Sequence, residues 1–181
     1  MTRTQLIVER NNRRKEIRKK IHRFIASIAG LMAVTALILM CTDDAAAEED
    51  TFIRAEYIRY CEKIGKEHGI APELLEALIE TESAGKADAK SRTGDVGLCQ
   101  INPRWSRYTE EELKDPYTNI EEAATILEGL FEKYDLEGLM AYNYGEYSEA
   151  FRSHMQKGTM SEYAKKIIKR SDYLQELHGR E

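Results

Sequence analysis

One carboxylate on the apolar face of a short helix, followed by a glycine-bracketed turn, is the part of this chain best placed to do chemistry. Pro72 to Glu82 reads as a helix in which Leu75, Leu78, Ile79 and Glu82 fall at i, i+3, i+4 and i+7. Glu82 therefore shares the buried stripe, whereas Glu73, Glu76 and Glu80 fall off it and read as ordinary solvated carboxylates. A carboxyl pressed against apolar side chains loses hydration, and its pKa rises because the charged form is disfavoured. That is how a glutamate stays protonated near neutral pH and can hand a proton to a leaving group. Glu82 is the candidate catalytic residue. Asp88 and Asp95, in the loop that follows, are possible second carboxylates, although Asp in a turn is commonly a solvated residue bonding its own backbone.

No Cys/His spacing suits a metal, and no cofactor motif is present, so neither is expected. Cys61 and Cys99 read as two small buried hydrophobes, with a disulfide between them arithmetically open. His68 before Gly69 reads as a helix-end cation beside a C-cap. Trp105, Tyr108 and Tyr144 suit either a stacking surface for a ligand or a lid over the core.

The elements that must position these groups are helical. Phe52 to His68 is amphipathic and stops at Gly69, and Pro72 opens the Glu82 helix in its first turn. Residues 85–108 hold Gly85, Gly94, Gly97 and Pro103 and cannot form one regular element. Thr109-x-x-Glu112 reads as a capping box for a short helix before Pro116. Asn119-x-x-Glu122 reads as the start of the next helix, with Ile120, Ala123, Ala124, Leu127, Leu130, Phe131 and Tyr134 on one face. Leu136 to Tyr144 is a short apolar segment. Thr159-x-x-Glu162 is expected to cap a last helix with Tyr163, Ile167, Leu174 and Leu177 inward. No alternating strand is found, so residues 52–181 are expected to form one all-α domain, its core lying within about 52–178.

Charge divides the 181 residues unevenly. Residues 1–23 carry nine Lys/Arg against Glu9 and Glu16, net +7; residues 24–41 carry no charge; the remainder is net −12, for a total of −5. An acidic body excludes ordinary nucleic-acid binding, which needs a positive surface. The apolar run Phe24 to Cys41, 18 residues, spans roughly 27 Å at 1.5 Å per residue, enough for the hydrocarbon core. Its length and basic flank suit an uncleaved anchor, while Ala45-Ala46-Ala47 suits cleavage of a signal segment. Either way 1–23 is a basic cytoplasmic segment, 24–41 a transmembrane or signal segment and 42–51 a small acidic linker. The domain is expected outside the cytoplasm, held at the membrane or secreted.

With these residues placed, the chain resembles the soluble-lytic-transglycosylase type of peptidoglycan-cleaving enzyme. The resemblance rests on Glu82-Ser83, Ser91, Gly94-x-x-Gly97-Leu98-Cys99-Gln100, Asp115-Pro116-x-x-Asn119-Ile120, Ala141-Tyr142-Asn143-Tyr144-Gly145 and Tyr163-Ala-Lys-Lys-Ile167, in order over about residues 56–175. It implies a lysozyme-like helical domain with Glu82 as acid and then base. Substrate-binding places are implied at Ser83, Ser91, Gly97, Gln100, Asn102, Tyr142 and Asn143. Ser91 and Gln100 would bond the acetamido sugars, the Tyr142 hydroxyl would reach Glu82, and Asn143 would line the groove. Gly94 and Gly97 would let the backbone turn tightly behind the cleft. Cys99 stands where the family has Met, and Tyr144 where it has a small residue.

Ordinary glycosidases pair two carboxylates. A lone one implies that the substrate supplies the nucleophile, and the family's mechanism closes the MurNAc C6 hydroxyl onto C1 to give a 1,6-anhydro end. Asn102 stands where the related goose-type lysozymes carry an Asp, which favours that route over hydrolysis. The implied partner is the peptidoglycan glycan strand, and a small anchored enzyme of this kind suits a secretion or conjugation apparatus. A hydrolytic muramidase, or a non-catalytic wall-binding assembly protein on the same fold, are the alternatives.

Overall fold

The computed structural model describes residues 53–179. The expected basic arm, apolar span and linker lie outside the described residues, and among those described no helix is long and apolar enough to cross a membrane. The chain forms α1 (Ala55–His68), α2 (Pro72–Ser83), α3 (Pro116–Tyr134), α4 (Gly138–Tyr144), α5 (Glu149–Lys157) and α6 (Glu162–Leu177), with single 3-10 turns at Glu112–Lys114 and Asp135–Glu137. The all-α expectation holds. Among the described residues extended pairing is limited to isolated bridges, Lys90 with Val96 and Val96 with Ile101.

The core is built around α2, which packs against α6 on one side and α1 on another; α1 and α4 in turn pack on α3. Leu75, Leu78 and Ile79 are fully buried, as their spacing requires. Each such side chain contributes roughly 1.5–3 kcal/mol over its exposed state. Cys61 and Cys99 are buried as free thiols. Gly69 closes α1 at φ 66°, and His68 in the last turn sits between Glu128 at 2.9 Å and Glu121 at 3.3 Å.

Several expectations need correction. Glu73 and Glu76 are buried and Glu80 is only 9% exposed, because α6 closes over the face of α2 opposite the apolar stripe. The same helix and its C-cap bring partners to two of them: the His178 ring reaches Glu73 at 3.2 Å, and Arg170 grips both oxygens of Glu80 at 2.6 and 3.0 Å. The long helix starts at Pro116, not Asn119. Asp115 is its cap and accepts from the Thr118 amide at 2.8 Å, with Pro116 preset for the first turn. The last helix is capped by Ser161, whose hydroxyl accepts from the Ala164 amide, while Thr159 bonds the His154 ring. Leu177 is 46% exposed rather than inward, since α6 there has passed the end of the core. The helix α5, capped by Ser148, was not foreseen. The Thr109–Glu112 capping box is present, although it opens only a 3-10 turn.

Candidate active site

Glu82 lies in the last turn of α2, where the chain leaves the helix through two left-handed residues, Ala84 (φ 51°) and Gly85 (φ 74°). Its carboxyl is half-buried and accepts a hydrogen bond from the hydroxyl of Tyr163, in the first turn of α6. Burial pushes the Glu82 carboxyl up, the Tyr163 hydrogen bond opposes it, the charge of Asp95 adds to it and Lys166 subtracts; the net direction is upward. Desolvation and the same carboxyl push the Tyr163 phenol far above its ordinary range, so Tyr163 stays a donor.

The loop of residues 84–111 is fastened behind this carboxyl by a buried amide. Asn119, fully buried in α3, accepts from the Cys99 amide at 2.7 Å and donates to the carbonyls of Val96 at 2.9 Å and Leu113 at 2.8 Å. Gly97 passes so close that a Cβ there would lie 2.2 Å from the Asn119 amide nitrogen and 2.6 Å from the Leu113 carbonyl oxygen, at φ +84°. Gln100 is left-handed at φ 52°, a strained setting for a residue with a Cβ. Its side-chain amide holds the turn by donating to the carbonyls of Gly97 at 2.9 Å and Ala89 at 3.2 Å. Glu122, also buried, anchors the loop's far end through Ser106 at 2.8 Å and Arg107 at 3.2 Å.

Asp95 is not a loosely solvated turn residue. It accepts from Ser91 at 2.7 Å, from Asn102 at 2.8 Å and from Thr93. Burial pushes its carboxyl up, but these hydrogen bonds outweigh that and hold it below the usual carboxylate range. The site thus contains two carboxyls in electrostatic reach, one pushed up by burial and one held down by hydrogen bonds.

A cleft of about 680 Å³ is lined by Asp95, Gln100 and Asn102 together with Tyr142, Asn143 and Tyr144. Trp105 and Tyr147 line it at 87% and 84% exposure. Glu82 itself does not line this cleft; Asp95, whose charge it feels, does. Thr81, the chain neighbour of Glu82, lines a second groove of about 460 Å³ along α6.

The expected site residues divide accordingly. Gln100, Asn102, Tyr142 and Asn143 share the cleft wall. Ser91 points its hydroxyl at Asp95, and Ser83 is buried with its hydroxyl on the Ile79 carbonyl at 3.2 Å. Gly97 lies buried behind the turn. The expectation that the Tyr142 hydroxyl reaches Glu82 fails: it donates to the Cys99 carbonyl at 2.8 Å, and Tyr163 takes the place assigned to it. Tyr108 packs on the core under Arg107 and is a lid, whereas Tyr144 stacks on His154 at 5.8 Å. Sequence reasoning missed the roles of Tyr163, Asn119 and Tyr147. Tyr163 carried a signal, being a polar-tipped group at a position expected to face inward.

The profile of the transglycosylase SLT domain matches residues 59–168, well over half the chain and the whole of the site just described. The chain belongs to the transglycosylase SLT domain family. Two curated proteins named endo-type membrane-bound lytic murein transglycosylase A, from two strains of Klebsiella pneumoniae, are 31% identical to it over 96 residues. The match takes in 46% of this chain, which spans about half (47%) of those relatives' length. A solved structure of an inactive Glu-to-Gln mutant of the lytic transglycosylase Slt from Pseudomonas aeruginosa superposes with a TM-score of 0.55 at 18% identity, covering 67% of this chain and 24% of that one. That likeness carries the fold. In this SLT domain the Tyr142 hydroxyl ties the Ala-Tyr-Asn helix to the glycine turn at Cys99, and both Cys99 and Tyr142 feel the charge of Glu82.

Proposed function

We propose that the chain is a peptidoglycan lytic transglycosylase that cleaves the MurNAc-β-1,4-GlcNAc bond and leaves a 1,6-anhydro-MurNAc end. The observation that carries the reading is the Glu82 carboxyl: half-buried, raised in pKa, bonded to the Tyr163 phenol and within electrostatic reach of Asp95, which lines the open cleft. Protonated Glu82 gives its proton to the glycosidic oxygen as the C1–O bond breaks. The carboxylate left behind, stabilised by Tyr163, takes the proton of the C6 hydroxyl while its oxygen bonds C1. Glu82 ends protonated, and no water is consumed. Asp95, held ionised nearby, stabilises the positive charge that develops at C1, as a fixed counter-charge does in a dry site.

The relatives named membrane-bound lytic murein transglycosylase support murein as the substrate and a membrane-held enzyme acting on the wall. A site on the wall side of the membrane, opening a path for a secretion or conjugation apparatus, extends that reading.

One observation favours a second reading. An Asp95 held low in pKa within electrostatic reach of a Glu82 raised in pKa also suits a two-carboxylate muramidase, in which water rather than the C6 hydroxyl attacks. Mass spectrometry of muropeptides released from purified sacculi separates the two, because anhydro and hydrolysed ends differ by one water. Anhydro ends are expected. Reducing ends alone would replace the first reading with the second, and no release by the wild-type protein would leave a wall-binding protein.

A further inference from the structure

The end of α2 away from Glu82 holds a second group of titratable side chains, which the proposed reaction does not use. Glu73 and Glu76, three positions apart near the start of the helix, share a face and are 1% and 0% exposed. His178, at the C-cap of α6, sets Nδ1 of its ring 3.2 Å from Oε1 of Glu73. One donor atom from each of the three residues lies within 4.8 Å of the other two. Nothing in local spacing announces this cluster, because Glu73 and His178 are 105 positions apart and the packing of α2 on α6 brings them together.

We infer that Glu73, Glu76 and His178 form a structural site for a divalent transition metal of the zinc class, which fastens the end of α6 to the start of α2. Three atoms no more than 4.8 Å apart have a common centre within about 2.8 Å of each, so closing by about 0.7 Å reaches zinc–nitrogen and zinc–oxygen distances of roughly 2.0–2.2 Å. The 3.2 Å between Nδ1 and Oε1 already matches the edge, roughly 3.3 Å, of a tetrahedron with such bonds. One imidazole and two carboxylates suit zinc and its transition-metal neighbours, whereas calcium and magnesium take all-oxygen shells of higher coordination number. The second oxygen of either carboxylate, or a water, fills the fourth position. Two carboxylates held this close repel each other when both are ionised, and a dication between them turns the repulsion into attraction. The proton between Nδ1 and Oε1 leaves as the metal takes their lone pairs. Nine residues of α2, about 13 Å at 1.5 Å per residue, separate Glu73 from Glu82, so the ion touches no reacting atom. It fixes the register in which Tyr163, at the other end of α6, meets Glu82.

The full chain in detergent is stripped of metal with a chelator and melted with and without zinc chloride, while calorimetry reads the stoichiometry. One zinc ion per chain is expected, with a melting temperature raised by about 8 °C at a hundredfold excess over Kd. Calcium and magnesium are expected to raise it by less than about 1 °C. Glu76→Gln and His178→Gln are each expected to weaken zinc binding by about a hundredfold or more and to erase the shift. His178 lies past the last turn of α6, so its variant keeps the test readable where the buried Glu76→Gln does not fold. His68→Gln, at the other place where a histidine meets two glutamates, is expected to change neither stoichiometry nor shift. Absence of a zinc-dependent shift in the wild type overturns the inference. So does a shift that survives both Glu76→Gln and His178→Gln, which places the metal elsewhere, or an equal shift with calcium or magnesium. Muropeptide release is not read, so the outcome is independent of whether the chain cleaves glycan.

Discussion

The two ends of α2 put the same residue type to opposite uses. At its start, Glu73 is buried against His178, and one turn before its end Glu80 is clamped by Arg170. Arg170 lies on α6 and His178 directly follows it, so these carboxylates serve as cross-links between the two helices that form the centre of the domain. At the last turn Glu82 meets the same helix but faces a phenol instead of a cation. A cation at contact distance stabilises the carboxylate by full charge, while a phenol offers one neutral hydrogen bond that leaves desolvation in command. The residue that α6 sets against each glutamate, tyrosine for Glu82 and arginine for Glu80, separates the acid proposed at Glu82 from a fastener.

The sharpest way to break that contrast is to neutralise each end in turn. Glu82→Gln is expected to cut muropeptide release by about 10³-fold or more, in the range of general acid-base contributions. It should not weaken the fold. The folded pKa of Glu82 lies above its unfolded value, so stability tied to this group is greatest below the ordinary carboxylate range and falls as pH rises through the raised value. The Gln variant escapes that loss and should melt at the same temperature as wild type or higher at pH 8. Glu73→Gln is expected to do the reverse, costing about 2 kcal/mol of stability with kcat kept. Thermal melts alongside release assays decide; a Glu73→Gln protein that melts normally but does not cleave would erase the distinction.

The next effect tests whether the turn behind Glu82 is as rigid as its packing implies. Gly97→Ala places a Cβ into Asn119 and the Leu113 carbonyl at a left-handed φ. It is expected to cost about 3 kcal/mol by strain and overpacking, read as a shift in denaturant midpoint. Gly94→Ala, with open space around its Cβ, pays the backbone strain alone and should cost less. Equal losses at the two glycines would show that backbone conformation, not the approach to Asn119, sets the requirement.

The features legible beforehand were those written into neighbouring residues. The stripe Leu75, Leu78, Ile79 and Glu82 fixed both the helix and the half-burial of its carboxyl, because i, i+3 and i+4 positions share a face whatever they pack against. The glycine turn was legible because only glycine sits readily at such φ values. Glu73 and Glu76 were misread because a single apolar stripe implies a single buried face, and nothing near them in sequence shows α6 covering the other. Tyr163 was missed as the Glu82 partner because it lies 81 positions away, and α2–α6 packing alone brings them together. Tyr142 stood in a motif that suits a contact to Glu82, yet its phenol meets the nearer Cys99 carbonyl first. Asn119 was taken for a cap, since Asn at a helix start ordinarily is one; Asp115-Pro116 had already opened the helix, which freed Asn119 to clamp the turn.

The smallest effect, a shift in pH profile without loss of fold, is the most specific to the contrast between phenol and cation. Glu82 must be protonated to act, so the alkaline limb of kcat/KM follows its pKa in the free enzyme. The Tyr163 hydrogen bond stabilises the carboxylate and pulls that pKa down, so Tyr163→Phe should move the limb to higher pH. The Asp95 charge pushes it up, so Asp95→Asn should move the limb to lower pH, while Asn at 95 still offers an oxygen to Ser91 and Thr93. Merely structural roles would lower activity at every pH and leave both limbs in place. Opposite displacements require that both groups act on one proton. Arginine at 163 carries the logic to its limit, because Tyr163→Arg would give Glu82 the kind of partner that Glu80 already has. A carboxylate fastened in that way should be silent as an acid across the neutral range, and a pH-rate profile of that variant would show whether one side chain on α6 separates the two ends of α2.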